Sequence, residues 1–519
     1  MKARGESSNQ VGPLGLWLER ALAGTLFLVV VAAPNSIAAT QAAWFLGLVF
    51  WVLRFAVWPR PKLDRTPLDY PMFGFFLLTG LSSFLSYSQI ISIGKLRAAC
   101  LFTIVYLFAE NIRSRRLLRF LAITLVAACM LNVFYTIGEY AIGRGVKVHG
   151  VNAGSPLNLA QLVTEDARTP GKTKQQRKRV QNIPIQSGDT LEEVDARSLR
   201  SADDLAEALQ TSETEPAKIR VYRVEWIAVL EVPRGRLLPG TTTEERLGIQ
   251  RWTHGRDWRA TGFFNHWTTY AESLQLIASM ALGLLVALPR KRSRNGLLLA
   301  LAIAGMGVAL LLSVTRASWL SLLVSGALIT ALSLSRRALL IAGACALPLV
   351  LLGLFVLHQK RNVGFFDQKD DSIAWRQKIW REGVHLLTSN PRHLLVGVGM
   401  DSIKGHWREW GLFENGRLPM GHMHSDYLQI ALERGVPALI AWLILLGVYA
   451  RTLWRLRRLV PKENWIERGM VLGALGGLLG FMLSGVVHYN WGDSEVVMIF
   501  YVIMGLSLVV EREFREKAG

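Results

Sequence analysis

The 519-residue sequence contains only three cysteines, and all three lie within apolar stretches. They are Cys100, Cys129 and Cys345. Cysteines placed in this way cannot cross-link a polar segment or supply a metal site to one. We therefore expect no external disulfide and no cysteine-based metal centre.

Several signatures of phosphate and metal chemistry are also missing. The sequence has no Gly-x-x-x-x-Gly-Lys-Ser/Thr loop and no His-Glu-x-x-His helix. We find no convincing pair of acidic residues of the kind that holds a metal ion in enzymes that use nucleotide sugars. These absences predict that any activity is independent of metal ions and needs no cofactor.

Acidic residues are few relative to basic ones, with 39 Asp and Glu against 59 Lys and Arg and a formal net charge of +20. A basic balance can indicate nucleic-acid binding. Here hydrophobic residues make up 51% of the chain, and the basic clusters lie between long apolar runs. Attraction to the anionic inner leaflet of a membrane explains such clusters, so we predict a lipid bilayer as partner and no nucleic acid.

Apolar runs long enough to cross a ~30 Å hydrocarbon core, roughly 17 to 25 residues each, recur about twelve times. Their approximate bounds are 17–35, 39–57, 70–87, 94–110, 117–142, 263–288, 295–313, 317–334, 338–357, 434–451, 469–488 and 494–511. The first run lacks a small-residue cleavage site and is followed at once by another, which indicates that it is retained. The predicted fold is an all-α polytopic membrane protein of about twelve helices with a small α+β insertion.

The basic clusters set the orientation, because cytoplasmic loops carry an excess of Lys and Arg. Clusters such as 60–65, 113–119, 290–294 and 455–458 all fall in even-numbered gaps between the runs. The short loops in the other gaps, such as 87–92, carry no basic residue. Both termini are therefore predicted to be cytoplasmic, and the two long polar segments are predicted to lie on the opposite face.

The predicted organisation has five parts. Spans one to five occupy 1–142, an insertion follows over 143–262, and spans six to nine occupy 263–357. A second polar loop covers 358–433, and spans ten to twelve with a cytoplasmic tail occupy 434–519.

The insertion has a flexible and an ordered part. Residues 164–180 are polar, basic and poor in apolar residues, which favours a solvated segment. SGDTLEEVDARSLRSADDLAEAL, residues 187–209, is typical of a strand, a turn and a helix, and residues 219–233 alternate as two strands about a short break. This order resembles the second half of a PDZ domain without its carboxylate-binding loop, so a structural cap is favoured over peptide binding.

The second polar loop contains SIAWRQKIWREGVHLLTSNP, residues 372–391. Its apolar residues predict one stripe of an amphipathic helix, with Ser372 as N-cap and Pro391 after its end. The stripe comprises Trp375, Ile379, Val384, Leu386 and Leu387. Arg376 and Arg381 flank it, and they either extend to lipid phosphates at the interface or hold a phosphorylated ligand.

Four short pieces of the sequence lie at the predicted external face. They are RATGFFNHWTTYAESL at 259–274, SVTRASWL at 313–320, WRQKIWREGVHLLTSNPRHLLVGVGMDSI at 375–403 and HMHSDYLQIALERGVPAL at 422–439. Together, and in this order, they resemble the O-antigen ligase and polymerase superfamily of bacterial envelope proteins. The fourth carries a His424-Ser425 pair where family members typically have His-Asn. The resemblance covers the second half of the chain, and the first five spans match only in hydropathy.

The resemblance implies a glycosyl transfer in which an acceptor hydroxyl attacks a sugar linked to undecaprenyl diphosphate. Arginine suits the diphosphate because its planar guanidinium makes paired hydrogen bonds and stays charged. Arg316 lies in a short turn between two apolar runs, where a lone charge near hydrocarbon costs up to about 2.5–3.5 kcal/mol. We predict that Arg316, Arg259, Arg376 and Arg381 supply the diphosphate-binding group, although each has a purely structural alternative at the interface.

Histidine suits the removal of the acceptor proton because its pKa lies near neutrality. We predict His424 as base or acceptor-orienting group, with His422 in support and Asp426 orienting it. The alternatives are interfacial side chains or a metal site with His406. Residues i and i+2 point in different directions in a helix, which disfavours a shared metal.

The expected function is an inner-membrane O-antigen ligase that moves a preassembled glycan to the lipid A core on the periplasmic face. A polymerase that extends the lipid-linked glycan, and a ligase that glycosylates a protein such as a pilin, remain alternatives. A transporter is disfavoured, because its charged or broken segments are expected at mid-membrane, whereas here the ionisable residues collect at the external ends of the spans.

Overall fold

The structure is a computed structural model. It describes residues 12–165, 178–211, 215–223, 226–256, 258–333, 343–344, 348, 351–355, 371–416 and 420–515. The chain divides into two compact units, one formed by Met1–Phe134 with Thr261–Gly519 and the other by Tyr135–Ala260. We call them the helical unit and the α/β unit.

Six helices open the chain. They are α1 (Pro13–Ala32), α2 (Ile37–Phe55), α3 (Asp69–Phe84), α4 (Gln89–Ala99), α5 (Thr103–Asn111) and α6 (Arg115–Ile142). One 3-10 turn, Cys100–Phe102, joins α4 to α5, and this continuous segment is the fourth predicted span. Helices satisfy their own backbone hydrogen bonds, which a segment surrounded by lipid requires.

The α/β unit contains an eight-stranded antiparallel sheet and two helices. The strands are β1 (Arg144–Val151), β2 (Gln161–Glu165), β3 (Lys178–Asn182), β4 (Thr190–Val194), β5 (Arg197–Ser198), β6 (Ala217–Arg223), β7 (Trp226–Val232) and β8 (Ile249–Gly255), and the helices are α7 (Ala202–Gln210) and α8 (Thr243–Leu247). The sheet order is β3-β2-β7-β6-β4-β1-β8, with β5 paired to β4.

The sequence of the α/β unit explains its core. Ile219 and Val221 alternate with polar residues on β6, and Leu205 and Leu209 lie on one side of α7; all four are buried together. The predicted strand, turn and helix over 187–209 are found as β4, β5 and α7, and the two predicted strands as β6 and β7. The PDZ-like comparison itself stays a prediction. The ends of the segment predicted to be solvated pair as β2 and β3, and its residues 166–177 lie outside the described residues.

Nine further helices complete the described helical unit. They are α9 (Trp267–Ala287), α10 (Arg294–Leu312), α11 (Arg316–Ala331), α12 (Asp371–Thr388), α13 (Pro391–Val396), α14 (Asp426–Arg434), α15 (Val436–Leu459), α16 (Trp465–Ser484) and α17 (Ser494–Arg515). Single turns occur at Gly262–Phe264, Ile403–His406, Leu412–Gly416 and Asn490–Gly492.

The described residues include nine helices that are long and apolar enough to cross a membrane, so the chain is a polytopic helical membrane protein. Two other predicted spans correspond to the 16-residue helices α3 and α11. The remaining one, 338–357, lies largely outside the described residues. The total of twelve stays a prediction.

Helices α9 and α16 pack with their backbones in contact. A Cβ atom on Gly283 would lie 2.3 Å from the carbonyl oxygen of Gly469, and one on Gly473 would lie 2.6 Å from the Cα of Met280. Small residues permit this approach, as is common between membrane helices. The contact fixes the polar ends of α9 and α16 beside each other.

Basic clusters from different parts of the chain meet carboxylates at shared helix ends. Arg119 contacts Glu467 at 2.8 Å, and Arg455 contacts Glu511 at 2.7 Å. The turn before α3 joins them through Arg113, whose guanidinium lies 2.7 Å from Asp64. The basic clusters that are predicted to lie at one membrane face therefore pair with carboxylates at neighbouring helix ends or turns.

Helix α12 differs from its predicted form in two details. It includes Asp371, so Ser372 lies within its first turn and not at its N-cap. Val384 is 48% exposed, whereas Ile379, Leu386 and Leu387 are buried. The prediction that Val384 belongs to the apolar stripe is wrong because five residues separate it from Ile379, which turns it to another face of the helix.

Candidate functional site

The two histidines at 422 and 424 lie side by side. Their ring centroids are 4.1 Å apart, and the backbone N–H of His424 donates to Nδ1 of His422 at 3.3 Å. His424 has a φ of 49°, a left-handed conformation that reverses the chain locally. The expectation that the rings point apart is wrong, because it assumed a helix, whereas residues 422–425 are not helical.

Buried hydrogen bonds hold this histidine loop. The carbonyl oxygen of Met423 accepts from Nε1 of Trp380 at 2.8 Å, and its N–H donates to Oε1 of Gln429 at 2.7 Å. Ser425 is the N-cap of α14, and its Oγ accepts from the N–H of Leu428. Serine and asparagine both serve this position well, so the departure from the family's His-Asn pair preserves the local structure.

Burial is the main cause of the perturbed pKa values of both histidines. Burial, assisted by the charge of Lys404, lowers the pKa of His422 to about 4. Burial is also the largest cause that lowers the pKa of His424 to about 2, and the nearby His422 and Arg376 lower it further. Among the described residues, Nε2 of His424 is buried and has no hydrogen-bond partner. Both rings are therefore neutral at ordinary pH.

Helix α12 brings one of its two arginines to the histidines. The rings of Trp375 and His424 meet edge to face at 5.2 Å, and the partly buried Arg376 acts electrostatically on His424. Arg381 is exposed beside an open pocket formed with Trp380 and its neighbours. The two arginines are five residues apart and point in different directions, so the structure places only Arg376 near the histidine pair.

Asp426 is fully buried at the start of α14. Its Oδ1 accepts from the N–H of Trp491 at 2.8 Å, and its own N–H donates to the carbonyl of Gly485. Burial raises the pKa of Asp426 well above its ordinary value. Among the described residues it makes no hydrogen bond to Nε2 of His424, and its contacts position the turn at Trp491.

Arg316 is the first residue of α11 and is partly buried. The positive end of the helix dipole adds to its charge, and both favour an anion. Two residues further along α11, Ser318 donates to the buried carboxylate of Glu272 at 3.0 Å. Ser484 and Nδ1 of His488 bind the same carboxylate at 2.6 and 2.8 Å. This network joins three helix ends beside Arg316.

Arg259, the remaining predicted diphosphate ligand, belongs to the α/β unit. It is partly buried there, between Trp258 and Ala260, which are both buried. Its part in a site with the arginines of the helical unit stays a prediction.

The first half of the chain contributes to the site through the turn between α3 and α4. The hydroxyls of Ser86 and Ser402 lie 2.8 Å apart. Ser92 donates to the carbonyl oxygen of Met400 at 2.7 Å. These buried hydrogen bonds connect the turn to the loop that precedes the histidines. The first five spans resemble the family only in hydropathy, so no sequence pattern indicated this contribution.

A cavity of about 200 Å³ adjoins the histidine pair. His422, Lys95, Lys404 and Arg434 are among the residues that line it. Asp401 lies between the two lysines, 2.8 Å from Lys95 and 3.0 Å from Lys404. Burial opposes ionisation of Asp401, but the hydrogen bonds from Lys95 and Lys404 keep its pKa below the ordinary value.

Sequence reasoning did not single out Glu272, His488, Lys95 or Arg434. A charge within a span was the available signal for Glu272, since intramembrane ionisable residues are costly and usually paired. The pairing itself joins residues 216 positions apart, and no local pattern reveals it. The assembled site offers neutral histidines flanked by cations, an arrangement suited to removing a proton next to an anionic leaving group.

Fold and site thus define a polytopic membrane protein with a buried histidine pair and arginines at one set of helix ends. The O-antigen ligase family model matches residues 299–443. This part of the chain is therefore similar to the O-antigen ligase family, and the resemblance to that superfamily is confirmed. Members of the family are ligases and polymerases of the glycosyltransferase type. The match includes Arg316, Arg376, Arg381, His422, His424 and Asp426. No curated protein matches the chain.

Proposed function

We propose that this protein transfers a preassembled glycan from undecaprenyl diphosphate to a hydroxyl of the lipid A core. The acceptor oxygen bonds to the anomeric carbon, the bond from that carbon to the diphosphate oxygen breaks, and undecaprenyl diphosphate leaves with the electron pair. The acceptor proton passes to a histidine. The observation that carries the proposal is the pair of neutral histidines at 4.1 Å, flanked by Arg376 and Lys404.

Each predicted residue receives a role. His424, with its unpartnered Nε2 among the described atoms, takes the proton, and His422 holds the loop by accepting from the N–H of residue 424. Arg316 and Arg376, with Arg259, hold the diphosphate and stabilise the charge that develops as it leaves. Arg381 is proposed to contact lipid phosphates at the membrane interface. Asp426 is proposed to position the start of α14, directly after the two histidines.

The proposed location is the inner membrane of a bacterium, with both termini cytoplasmic and the histidine pair at the periplasmic face. What supports it is the placement of basic clusters at the opposite helix ends, following the positive-inside rule. The diphosphate is already a good leaving group, so no metal ion is required by the reaction. The α/β unit is proposed to recognise or cover the acceptor.

The test is a reconstituted transfer assay with the full chain, undecaprenyl-diphosphate glycan and lipid A core, in the presence of a chelator and without nucleotide. The native protein should produce glycosylated lipid A core, and Arg316→Ala should reduce the rate roughly 10²–10³-fold, the usual cost of one transition-state charge contact. Arg408→Ala, an exposed arginine of the loop, is the matched control.

Three other outcomes would replace the proposal. Longer lipid-linked glycan from donor alone would identify a polymerase, and glycan on added pilin would identify a protein ligase. No product with any acceptor would favour a transporter.

A further inference from the structure

The cavity beside His422 contains a buried arginine whose hydrogen-bonding capacity is largely unused. Arg434 is 7% exposed. Its one hydrogen bond within the described part of the chain goes to Sδ of Met400 at 3.5 Å, and its buried Nε has no partner there. Thioether sulfur is a weak acceptor. The guanidinium also stands 5.4 Å from the ring centroid of Phe75.

A buried cation of this kind is costly unless an anion or a set of acceptors meets it. The neighbouring Glu433 interacts with Arg434 electrostatically, but its carboxylate forms its hydrogen bonds elsewhere, accepting from the N–H of Asp401, from Gln429 and from Tyr489. Within the described residues, no carboxylate lies within ion-pair distance of Arg434. The open side of Arg434 is the cavity, which it lines.

The rest of the cavity wall has a charged and an apolar part. In the charged part Lys95 and Lys404 share the carboxylate of Asp401. Glu433 and Asp493 also line the cavity, and burial raises the pKa of both carboxyls, which favours their neutral forms. Phe76 and Phe102 belong to the apolar part. Such a wall fits an oxyanion carried by an amphipathic molecule, since the cations bind the anion and the aromatic rings contact its apolar or ring carbons.

The position of the cavity relative to the histidines separates it from the predicted donor arginines. His422 lines the cavity and interacts electrostatically with Lys404. His424 instead packs on Trp375 and interacts electrostatically with Arg376. In a displacement at carbon the incoming oxygen and the leaving group lie on opposite sides. The histidine pair lies between these two cationic regions, so one region is available to each substrate.

We propose that this cavity is the anion subsite of the acceptor, in which Arg434, with Lys404 and Lys95, binds a phosphate group carried by the acceptor glycolipid. The inference rests on the proposed function for the identity of the acceptor. It assigns specificity to this subsite: acceptors that carry the anion bind, and acceptors that lack it bind weakly.

The experiment measures equilibrium binding to the full chain in nanodiscs, without turnover. Three ligands are compared: the intact lipid A core, the same material after phosphatase treatment, and undecaprenyl-diphosphate glycan. The native protein should bind intact acceptor roughly 10–100-fold more tightly than treated acceptor, as one or two charge-assisted hydrogen bonds imply. Arg434→Gln and Lys404→Gln should remove this preference and leave donor affinity unchanged, and the exposed Arg408→Gln should retain it.

Lys404 is exposed, so Lys404→Gln tests the subsite even if Arg434→Gln fails to fold. Equal binding of intact and treated acceptor by the native protein overturns the proposal. A loss of donor affinity in both variants, with the acceptor preference intact, also overturns it and assigns the anion to the donor diphosphate. Selective acceptor binding without any transfer would sustain the subsite while refuting the proposed function, so the two failures are distinguishable.

Discussion

The arginines of the α/β unit and those around the histidine loop have different surroundings. In the α/β unit, Arg220, Arg223 and Arg234 each contact a carboxylate of the same unit, at 3.3, 2.6 and 2.6 Å. Within the described residues, Arg434 of the helical unit has one hydrogen bond, to a thioether, lies near an aromatic ring, and has no carboxylate at ion-pair distance. Groups satisfied within the fold serve stability, and groups left for another molecule to satisfy serve binding.

The largest effect is expected at His424. His424→Ala should reduce transfer by roughly 10²–10⁴-fold, the usual contribution of a positioned general base. The loss of thermal stability should be small, because Nε2 has no hydrogen-bond partner among the described atoms and only the ring contacts with Trp375 and His422 are lost. Initial rates and thermal unfolding in detergent measure the two effects. His385→Ala, on the exposed face of α12, is the control. A loss below about tenfold would make His424 a positioning residue instead.

The carboxylate of Glu272 tests whether satisfied groups in the helical unit act for stability as well. Glu272→Leu leaves Ser318, Ser484 and His488 without their acceptor, and at about 1–3 kcal/mol for each buried group left unpaired the total cost is at least about 3 kcal/mol. We expect a marked fall in the unfolding temperature and, through displacement of α11, lower activity. Glu272→Gln keeps an acceptor and should lose much less. Equal stability of the leucine variant and the native chain would contradict the role of the network.

A smaller and local effect is expected in the α/β unit. Arg223→Gln removes the partner of the buried Asp189 and should cost about 1–3 kcal/mol. Amide hydrogen exchange should accelerate in β4, which begins at Thr190 next to Asp189, and in β6, which ends at Arg223. Arg251→Gln, on an exposed position of β8, should leave exchange unchanged. Unaltered exchange in the Arg223 variant would show that its ion pair does not stabilise the sheet.

The effect that is smallest near neutral pH is a dependence of stability on pH. The pKa of His422 lies near 4 in the folded protein against an ordinary value of 6.5, so the unfolded chain binds more protons between these values. Stability should be complete above about pH 6.5 and should fall as the pH drops towards 4, by about 1.4 kcal/mol per pH unit for each such histidine. Replacing both histidines by glutamine should flatten the profile of unfolding temperature against pH. An unchanged slope would mean that other groups control it.

Hydropathy predicted most of the helical unit because a bilayer demands apolar residues over the whole length of a span. It succeeded even for the segment 89–111, in spite of Lys95 and Arg97 near its start. It failed for Val384, because an amphipathic helix has only one buried face and a shift of one residue changes that face.

From the sequence we also predict that His424, Arg316 and Arg376 act together, since those residue types suit a diphosphate-linked donor, and this stays a prediction. The sequence did not place the histidine rings together, because the left-handed backbone of His424 is set by the contacts of Met423 and not by a local pattern. Asp426 was expected to orient the histidine, whereas its carboxylate meets the N–H of Trp491.

The sequence by itself determined the membrane-spanning character, the strands and helix of 187–209, and the residue types available for chemistry, because periodicity and composition act over short distances. Only the tertiary structure decided which of these residues meet. Glu272 with His488, and Lys95 with Asp401, are separated by hundreds of residues and are joined by helix packing. Packing also left Arg434 buried beside a cavity, because a side chain's surroundings depend on every helix that folds against it.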